Sequence, residues 1–258
     1  MGLKLDEIPT YNGKPYFKIN KEPEFNEADC LKKSFVEYSK LDRLGRCGMA
    51  YAKIGIDLMP KGKQRRRGGI KPSGWHTIKY DIIDHKYLYN RCHLIGYQLV
   101  TESSKRQNLI TGTRYMNMEA MLPFEDEIIQ YIKKTRNHVF YRVTPIFDGD
   151  NLVASGVQME GKSCEDNGAG ICFSIYAYNV QPGIVIYYDT GCSHLDDAYF
   201  VNSSNNIDRY ILNKKTKKFH YFDCSSTSDM DEKNKEECSC DRNCLILCRY
   251  LPCTMCNP

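Results

Sequence analysis

The most regular apolar pattern in the chain lies in the segment NMEAMLPFEDEIIQYIKKT, which begins at Asn117. Acidic residues come early in this segment and Lys133 and Lys134 come late, an order that suits the dipole of a helix. The pattern predicts an amphipathic helix, with Pro123 in its first turn or at a kink. Its apolar residues recur at roughly helical spacing, at Met118, Met121, Leu122, Ile128, Ile129 and Ile132.

Strand-like patterns flank the predicted helix on both sides. Before it, the segment from Tyr80 to Leu99 shows an alternation of apolar and polar residues and includes several aromatics, as in a half-buried strand pair. After it, Asp-Gly, Asn-Gly and Pro-Gly turns separate four further strand patterns: HVFYRVTPIF, NLVASGVQME, GICFSIYAYNV and GIVIYYD. The order predicts an α+β fold whose central antiparallel sheet is complete by about residue 190.

The uneven distribution of cysteine distinguishes a C-terminal tail from the rest of the chain. Of 13 cysteines in 258 residues, seven lie in the last 35, and the odd total excludes complete intramolecular pairing. We therefore predict a main domain over residues 1–192, a polar linker over 193–207 and a small cysteine-rich module over 208–258.

Composition is that of a soluble globular protein, with 41% hydrophobic and 26% charged residues. No apolar run approaches the roughly 20 residues that span a bilayer, so we expect no membrane partner. No secretory signal is evident. The sequence predicts a cytoplasmic protein if Met1 is the natural start, and a secreted one if a leader was removed.

A basic loop precedes the only tryptophan, Trp75, in the segment PKGKQRRRGGIKPSGWH. The net charge is only +4, so a polyanionic partner is permitted without being required. A charge run of this kind is commonly a solvated loop. The alternative is an arm that contacts phosphates, because arginine forks bind phosphate oxygens bidentately.

The candidate chemistry lies between Asn90 and Asn117. His93 ends a strand-like run, Arg91 precedes it by two residues, and Asn108 and Asn117 follow, the latter at the predicted helix start. A lone histidine after a strand is more often structural than catalytic, but this set of neighbours favours a nuclease site. Cys92 is adjacent to His93, yet neighbours on a strand point to opposite faces, which argues against a cysteine nucleophile.

This stretch resembles the DNA/RNA non-specific endonucleases, whose catalytic unit is a ββα-metal finger. The resemblance covers approximately Leu41–Asp189, with the finger at about 80–135. Members usually carry Asp-Arg-Gly-His where this chain has Asn90, Arg91, Cys92 and His93. They also carry an asparagine at the finger helix, which matches Asn117.

The resemblance implies that His93 is the general base and that Asn117 is the one direct protein ligand to Mg²⁺, with Mn²⁺ as an alternative. Asn108 would orient the histidine or the metal shell, and Glu125 would hold a metal-bound water. Arg91 belongs with these catalytic residues. The predicted substrate contacts are Arg65, Arg66, Arg67 and Lys71, and one of the three arginines would neutralise the pentavalent phosphate.

The tail contains two short-spaced pairs of potential ligands, His220 with Cys224 and Cys253 with Cys256, separated by a loop. This arrangement is common in structural zinc sites, and the tail is similar to small Ada-type zinc-binding modules. A disulfide-stapled or disordered tail is the alternative. The roles of the other tail cysteines stay open: Cys238, Cys240, Cys244 and Cys248.

The sequence thus predicts a Mg²⁺-dependent endonuclease of low sequence specificity that cleaves DNA, with RNA as a second substrate. The alternative is a catalytically inactive protein that binds nucleic acid through the basic loop and the zinc module. Asn90 and Cys92, which depart from the family pattern, favour that alternative. An inhibitor protein is a further candidate partner if the chain is a toxin.

Overall fold

We describe the protein from a computed structural model, which covers residues 3–62, 69–101, 105–196, 209–228, 230–239, 245, 250–256 and 258. The chain divides into two compact units, Met1–His194 and Leu195–Pro258. Among the residues so covered, none forms a helix that is both long and apolar enough to cross a bilayer.

A six-stranded antiparallel sheet organises the first unit, in the spatial order β1-β8-β7-β6-β3-β2. Two strand pairs lie outside it, β4 with β5 and β9 with β10. The elements in chain order are β1 (Tyr16–Lys18), β2 (Phe35–Tyr38), β3 (Ala50–Ile54), β4 (Tyr89–His93), β5 (Leu109–Thr113), α1 (Leu122–Thr135), β6 (Val139–Ile146), β7 (Gly156–Ser163), β8 (Cys172–Tyr178), β9 (Ile184–Ile186) and β10 (Ser193–Leu195).

The main core lies between one face of the sheet and α1. Ile128, Ile129 and Ile132 form the buried stripe of the helix, as their spacing predicts. Alternate residues of three adjacent strands form the other side of the core: Tyr141, Val143, Val157, Met159, Ile175 and Ala177. The predicted α+β fold with a central antiparallel sheet is therefore confirmed.

The π-helical segment that leads into α1 begins one residue before Asn117. Met116–Met121 form a π-helical segment that continues directly into α1. Pro123 lies in the first turn of α1, where it cannot donate a hydrogen bond to the preceding π-helical turn. Arg136, with a φ of 65°, ends the helix in the left-handed conformation. The helix predicted from the apolar spacing is confirmed.

The strand pair predicted between Tyr80 and Leu99 is wrong. Only Tyr89–His93 is a strand there, and its antiparallel partner is Leu109–Thr113. The segment after His93 alternates like a strand, but Leu94, Ile95 and Leu99 are all fully buried in a turn. Another difference is that the strand in GIVIYYD pairs with Ser193–Leu195, at the start of the predicted linker, and not with the main sheet. Residues 197–207 of that linker lie outside the described residues.

The second unit contains a four-stranded sheet in the order β13-β11-β12-β14. Its strands are β11 (Arg209–Asn213), β12 (Lys218–Tyr221), β13 (Lys235–Ser239) and β14 (Leu251–Pro252). Tyr210, Leu212, Phe219 and Leu245 form its buried core. The predicted strand pair at the start of the tail is β11 and β12.

Candidate active site

His93, Asn117 and Glu125 lie on the finger formed by β4, β5 and the helix. His93 is the last residue of β4 and lies opposite Leu109, the first residue of β5. Asn117 lies in the first turn of the π-helical segment that follows β5. The strand, strand and helix order predicted from the sequence is therefore present, with a different second strand.

Cys92 contacts Asn117 directly. The Cys92 Sγ lies 3.1 Å from the Asn117 Oδ1 and 3.4 Å from the Met121 Sδ, so the thiol packs against the first helical turns. The side chain of Cys92 is 1% exposed. Burial, followed by the nearby Glu125 carboxyl, raises the pKa of this thiol. We did not predict the contact, because the sequence does not show which face of β4 packs against the helix.

His93 is half-buried, and its imidazole makes no hydrogen bond within the described part of the chain. Burial lowers the pKa of the ring below its usual value, so His93 is neutral at pH 7. A neutral imidazole has a lone pair that can accept a proton from water. The chemistry of the group therefore suits a general base.

Asn108 is fully buried and holds the chain that follows His93. Its Nδ2 donates to the Ile95 carbonyl oxygen and its Oδ1 accepts from the Ile95 N–H, each at 2.9 Å. The Asn108 backbone oxygen also accepts from the Leu94 N–H at 2.9 Å. Asn108 thus fixes the backbone directly after His93, and no contact with the imidazole itself is seen among the described residues.

Glu125 lies on the first turn of α1 with its carboxylate turned toward the turn after β4. Its Oε1 accepts a hydrogen bond from the Gly96 N–H at 2.9 Å and lies 3.5 Å from the Tyr141 Oη. Burial raises the pKa of Glu125 to about 7. A Cβ at Gly96 would collide with this carboxylate, so a larger residue at this position would displace it. No local sequence pattern predicts that Tyr141 and Gly96 contact Glu125.

Arg91 lies beside the basic loop. Its Nε donates to the Ile70 carbonyl oxygen at 2.6 Å, and its guanidinium lies 4.6 Å from the centre of the Trp75 ring. Lys71, another predicted substrate contact, is exposed next to Ile70. The predicted contacts Arg65, Arg66 and Arg67 lie outside the described residues.

A second cluster lies in the C-terminal unit. One ligand atom from each of His220, Cys224, Cys253 and Cys256 lies within 4.8 Å of the others, and the first three residues are buried. β12 contributes His220, and the Cys253 N–H donates to the Phe219 carbonyl oxygen of the same strand at 2.9 Å. The four residues predicted as zinc ligands therefore come together in the fold.

The thiols of this cluster are free, and one of them ionises easily. Burial opposes ionisation of Cys253, but N–H groups of Cys256 and Met255 hydrogen-bond to it and lower its pKa to about 7. Burial raises the pKa of Cys256 to about 11. Three thiols and one imidazole are ligands that suit tetrahedral Zn²⁺.

The chain is similar to known nucleases in sequence and in structure. A family model described as DNA/RNA non-specific endonuclease matches residues 27–165, more than half of the chain. NucA from Streptococcus agalactiae with a magnesium ion bound is 25% identical, with a TM-score of 0.61 over 69% of this chain and 84% of that one. The Sda1 nuclease with a bound zinc ion is 27% identical, with a TM-score of 0.55 over 63% of this chain and 80% of that one.

Proposed function

Because the chain belongs to the DNA/RNA non-specific endonuclease family, we propose that it is a Mg²⁺-dependent endonuclease that cleaves DNA, and RNA as a second substrate, with little sequence specificity. The observation that supports this most is the finger of β4, β5 and the helix. It combines a neutral, half-buried histidine at a strand end with the carboxamide of Asn117 and the carboxylate of Glu125 on the helix.

The residues at this site fit a hard divalent cation. Asn117 and Glu125 both offer oxygen donors, which Mg²⁺ prefers, and Mn²⁺ accepts the same ligands. Asn117 would be the direct ligand, and Glu125 would act through a water. Bound there, the cation would supply positive charge against the charge that develops on the phosphate oxygens. The relation to NucA with bound magnesium supports this choice of metal.

In this proposal the general base is His93, which accepts the proton of the attacking water on a ring nitrogen. Its lowered pKa keeps that nitrogen free at neutral pH. Asn108 keeps the backbone after His93 in place through its two bonds to Ile95. The histidine therefore stays in a defined position while the proton moves.

Arg91 and Lys71 would hold the phosphodiester backbone beside the site. The Arg91 Nε and the face of its guanidinium are occupied by Ile70 and Trp75, which fixes the side chain and leaves its terminal nitrogens for phosphate oxygens. Arg65, Arg66 and Arg67 extend the same basic segment in the sequence. We propose one of these three as the group that neutralises the transition-state phosphate.

The second candidate function is a nucleic-acid-binding protein without catalysis. One observation favours it: the Cys92 thiol already contacts the oxygen of Asn117 that would bind the metal. A carbonyl oxygen has a second lone pair, so this contact does not by itself prevent coordination.

Cleavage of supercoiled plasmid DNA separates the two functions. The full-length protein is incubated with plasmid in Mg²⁺, in Mn²⁺ and in EDTA, with a single-stranded RNA in parallel. We expect nicked and then degraded plasmid in Mg²⁺ and none in EDTA, with fragment ends at many sequences. Retarded but intact DNA in both metals would establish the binding protein instead.

We also propose that His220, Cys224, Cys253 and Cys256 hold a structural Zn²⁺ in an Ada-type module. Their mutual distances and burial support four-coordinate binding, and the lowered pKa of Cys253 favours the thiolate that zinc requires. The exposed lysines of the β11–β12 turn would let this module assist nucleic-acid binding.

A further inference from the structure

We infer that Cys92 is a positioning residue for Asn117: its thiol donates a hydrogen bond to Asn117 Oδ1 and fixes the orientation of the carboxamide. This inference rests on the proposed function, since it takes Asn117 as the metal ligand. The Sγ and Oδ1 atoms are 3.1 Å apart, and Cys92 is 1% exposed.

The direction of the hydrogen bond follows from the chemistry of the two groups. A carboxamide oxygen can only accept, and a cysteine thiol is protonated at neutral pH, so Cys92 is the donor. The Nδ2 of the same carboxamide lies 3.6 Å from the Met118 Sδ. Each end of the carboxamide therefore has its own sulfur neighbour, and the oxygen keeps one lone pair for a cation.

The opposite strand leaves room for this thiol. A Cβ built on Gly112 of β5 would lie 2.6 Å from the Cys92 Cβ and 3.2 Å from its Sγ. It would also lie 2.9 Å from the Met116 Cε. The absence of a side chain at Gly112 therefore leaves the space that the Cys92 side chain occupies. Cys92 and Gly112 together allow the β4–β5 pair to pack closely against the helix.

The consequence concerns metal affinity rather than the fold alone. Residues that orient a metal ligand typically change metal affinity about 10- to 100-fold when they are removed. Without the thiol, the Asn117 carboxamide would rotate among several orientations, and the cation would have to select one of them. Cys92→Ala should weaken metal binding, whereas Cys92→Ser, which retains a donor of similar size, should restore it.

The test compares Cys92→Ala and Cys92→Ser with the wild-type full chain. Cys47→Ala is the matched control, because Cys47 is also buried and its Sγ contacts the Leu109 carbonyl oxygen at 3.1 Å, away from Asn117. The readouts are the Mg²⁺ concentration for half-maximal plasmid cleavage, and direct Mn²⁺ binding measured by electron paramagnetic resonance. Thermal unfolding reports any loss of packing.

We expect Cys92→Ala to raise the half-saturating Mg²⁺ and the Mn²⁺ dissociation constant at least about tenfold. Cys92→Ser should stay within about threefold of wild type, and Cys47→Ala should leave metal affinity unchanged. Equal weakening in both Cys92 variants, or none in Cys92→Ala, would overturn the inference. Mn²⁺ binding that follows this pattern without any cleavage would uphold the inference and reject the nuclease, whereas no Mn²⁺ binding by the wild type would reject both.

Discussion

At the scale of single residues, the two asparagines near His93 differ in what they contact. The Asn108 side chain hydrogen-bonds to the backbone of Ile95, whereas the Asn117 side chain contacts the thiol of Cys92. The sequence identifies both as polar residues that follow His93 and could belong to its site. It does not separate a residue that holds a turn from one that faces a site, because that depends on burial and on the partner strand.

The raised pKa of Glu125 predicts a pH-dependent stability. The folded chain holds this proton up to about pH 7, while the unfolded chain releases it near the ordinary value of 4.5, so the folded state loses stability as pH rises between them. We expect Glu125→Gln to raise the Tm in Mg²⁺-free buffer by about 2–4 °C at about pH 8, and by less at about pH 5.

Thermal unfolding followed by circular dichroism measures this difference. Glu127→Gln, an exposed residue of the same helix, is the control and should change the Tm equally little at both values of pH. A Tm of Glu125→Gln that matches wild type at the higher pH would show that the carboxyl is not desolvated.

At the scale of elements, the sequence predicts strands and the helix better than their partners. The helix from Met116 and the strands β6, β7 and β8 follow from local periodicity and turn residues. The partner of β4 does not, because the buried turn after His93 has the same apolar alternation as a strand. Distant side chains hold this turn, Asn108 at Ile95 and Glu125 at Gly96, and such bonds leave no periodic signal in the sequence.

The same limit applies to the contact between β4 and the helix. Strand alternation predicts opposite faces for Cys92 and His93, but it cannot tell which of the two side chains contacts Asn117. The sequence does carry one signal for this contact, Gly112 inside β5, since glycine inside a strand often marks a close approach.

At the scale of the whole molecule, the chain consists of two units with separate chemistry. The candidate nuclease residues belong to Met1–His194, and the Cys/His cluster belongs to Leu195–Pro258. The spacing of His220, Cys224, Cys253 and Cys256 in the sequence predicted the cluster that these four residues form. The remaining tail cysteines, apart from Cys238, lie outside the described residues.

We predict that the full chain, purified under reducing conditions, contains about one zinc ion per molecule. Cys253→Ser should lose most of this zinc because it removes one of the four proposed ligands, and proteolysis of the tail should become faster. Cys238→Ser is the control and should retain the metal, because Cys238 lies in β13 and does not belong to the cluster.

Elemental analysis of the three proteins gives the zinc content. Equal loss of zinc from Cys253→Ser and Cys238→Ser would show that the zinc is not held by the four proposed ligands alone. A wild-type protein without zinc, with disulfide bonds in its tail by mass spectrometry, would show that disulfides and not a metal stabilise the tail.

The most direct test of the whole account is the cleavage rate of plasmid DNA in Mg²⁺ by His93→Ala. His194→Ala, which removes an exposed histidine, serves as the control. We expect the His93 variant to lose about 10²- to 10⁴-fold in rate with an unchanged fold by circular dichroism, and the His194 variant to match wild type. Wild-type cleavage by a folded His93→Ala protein would contradict the account.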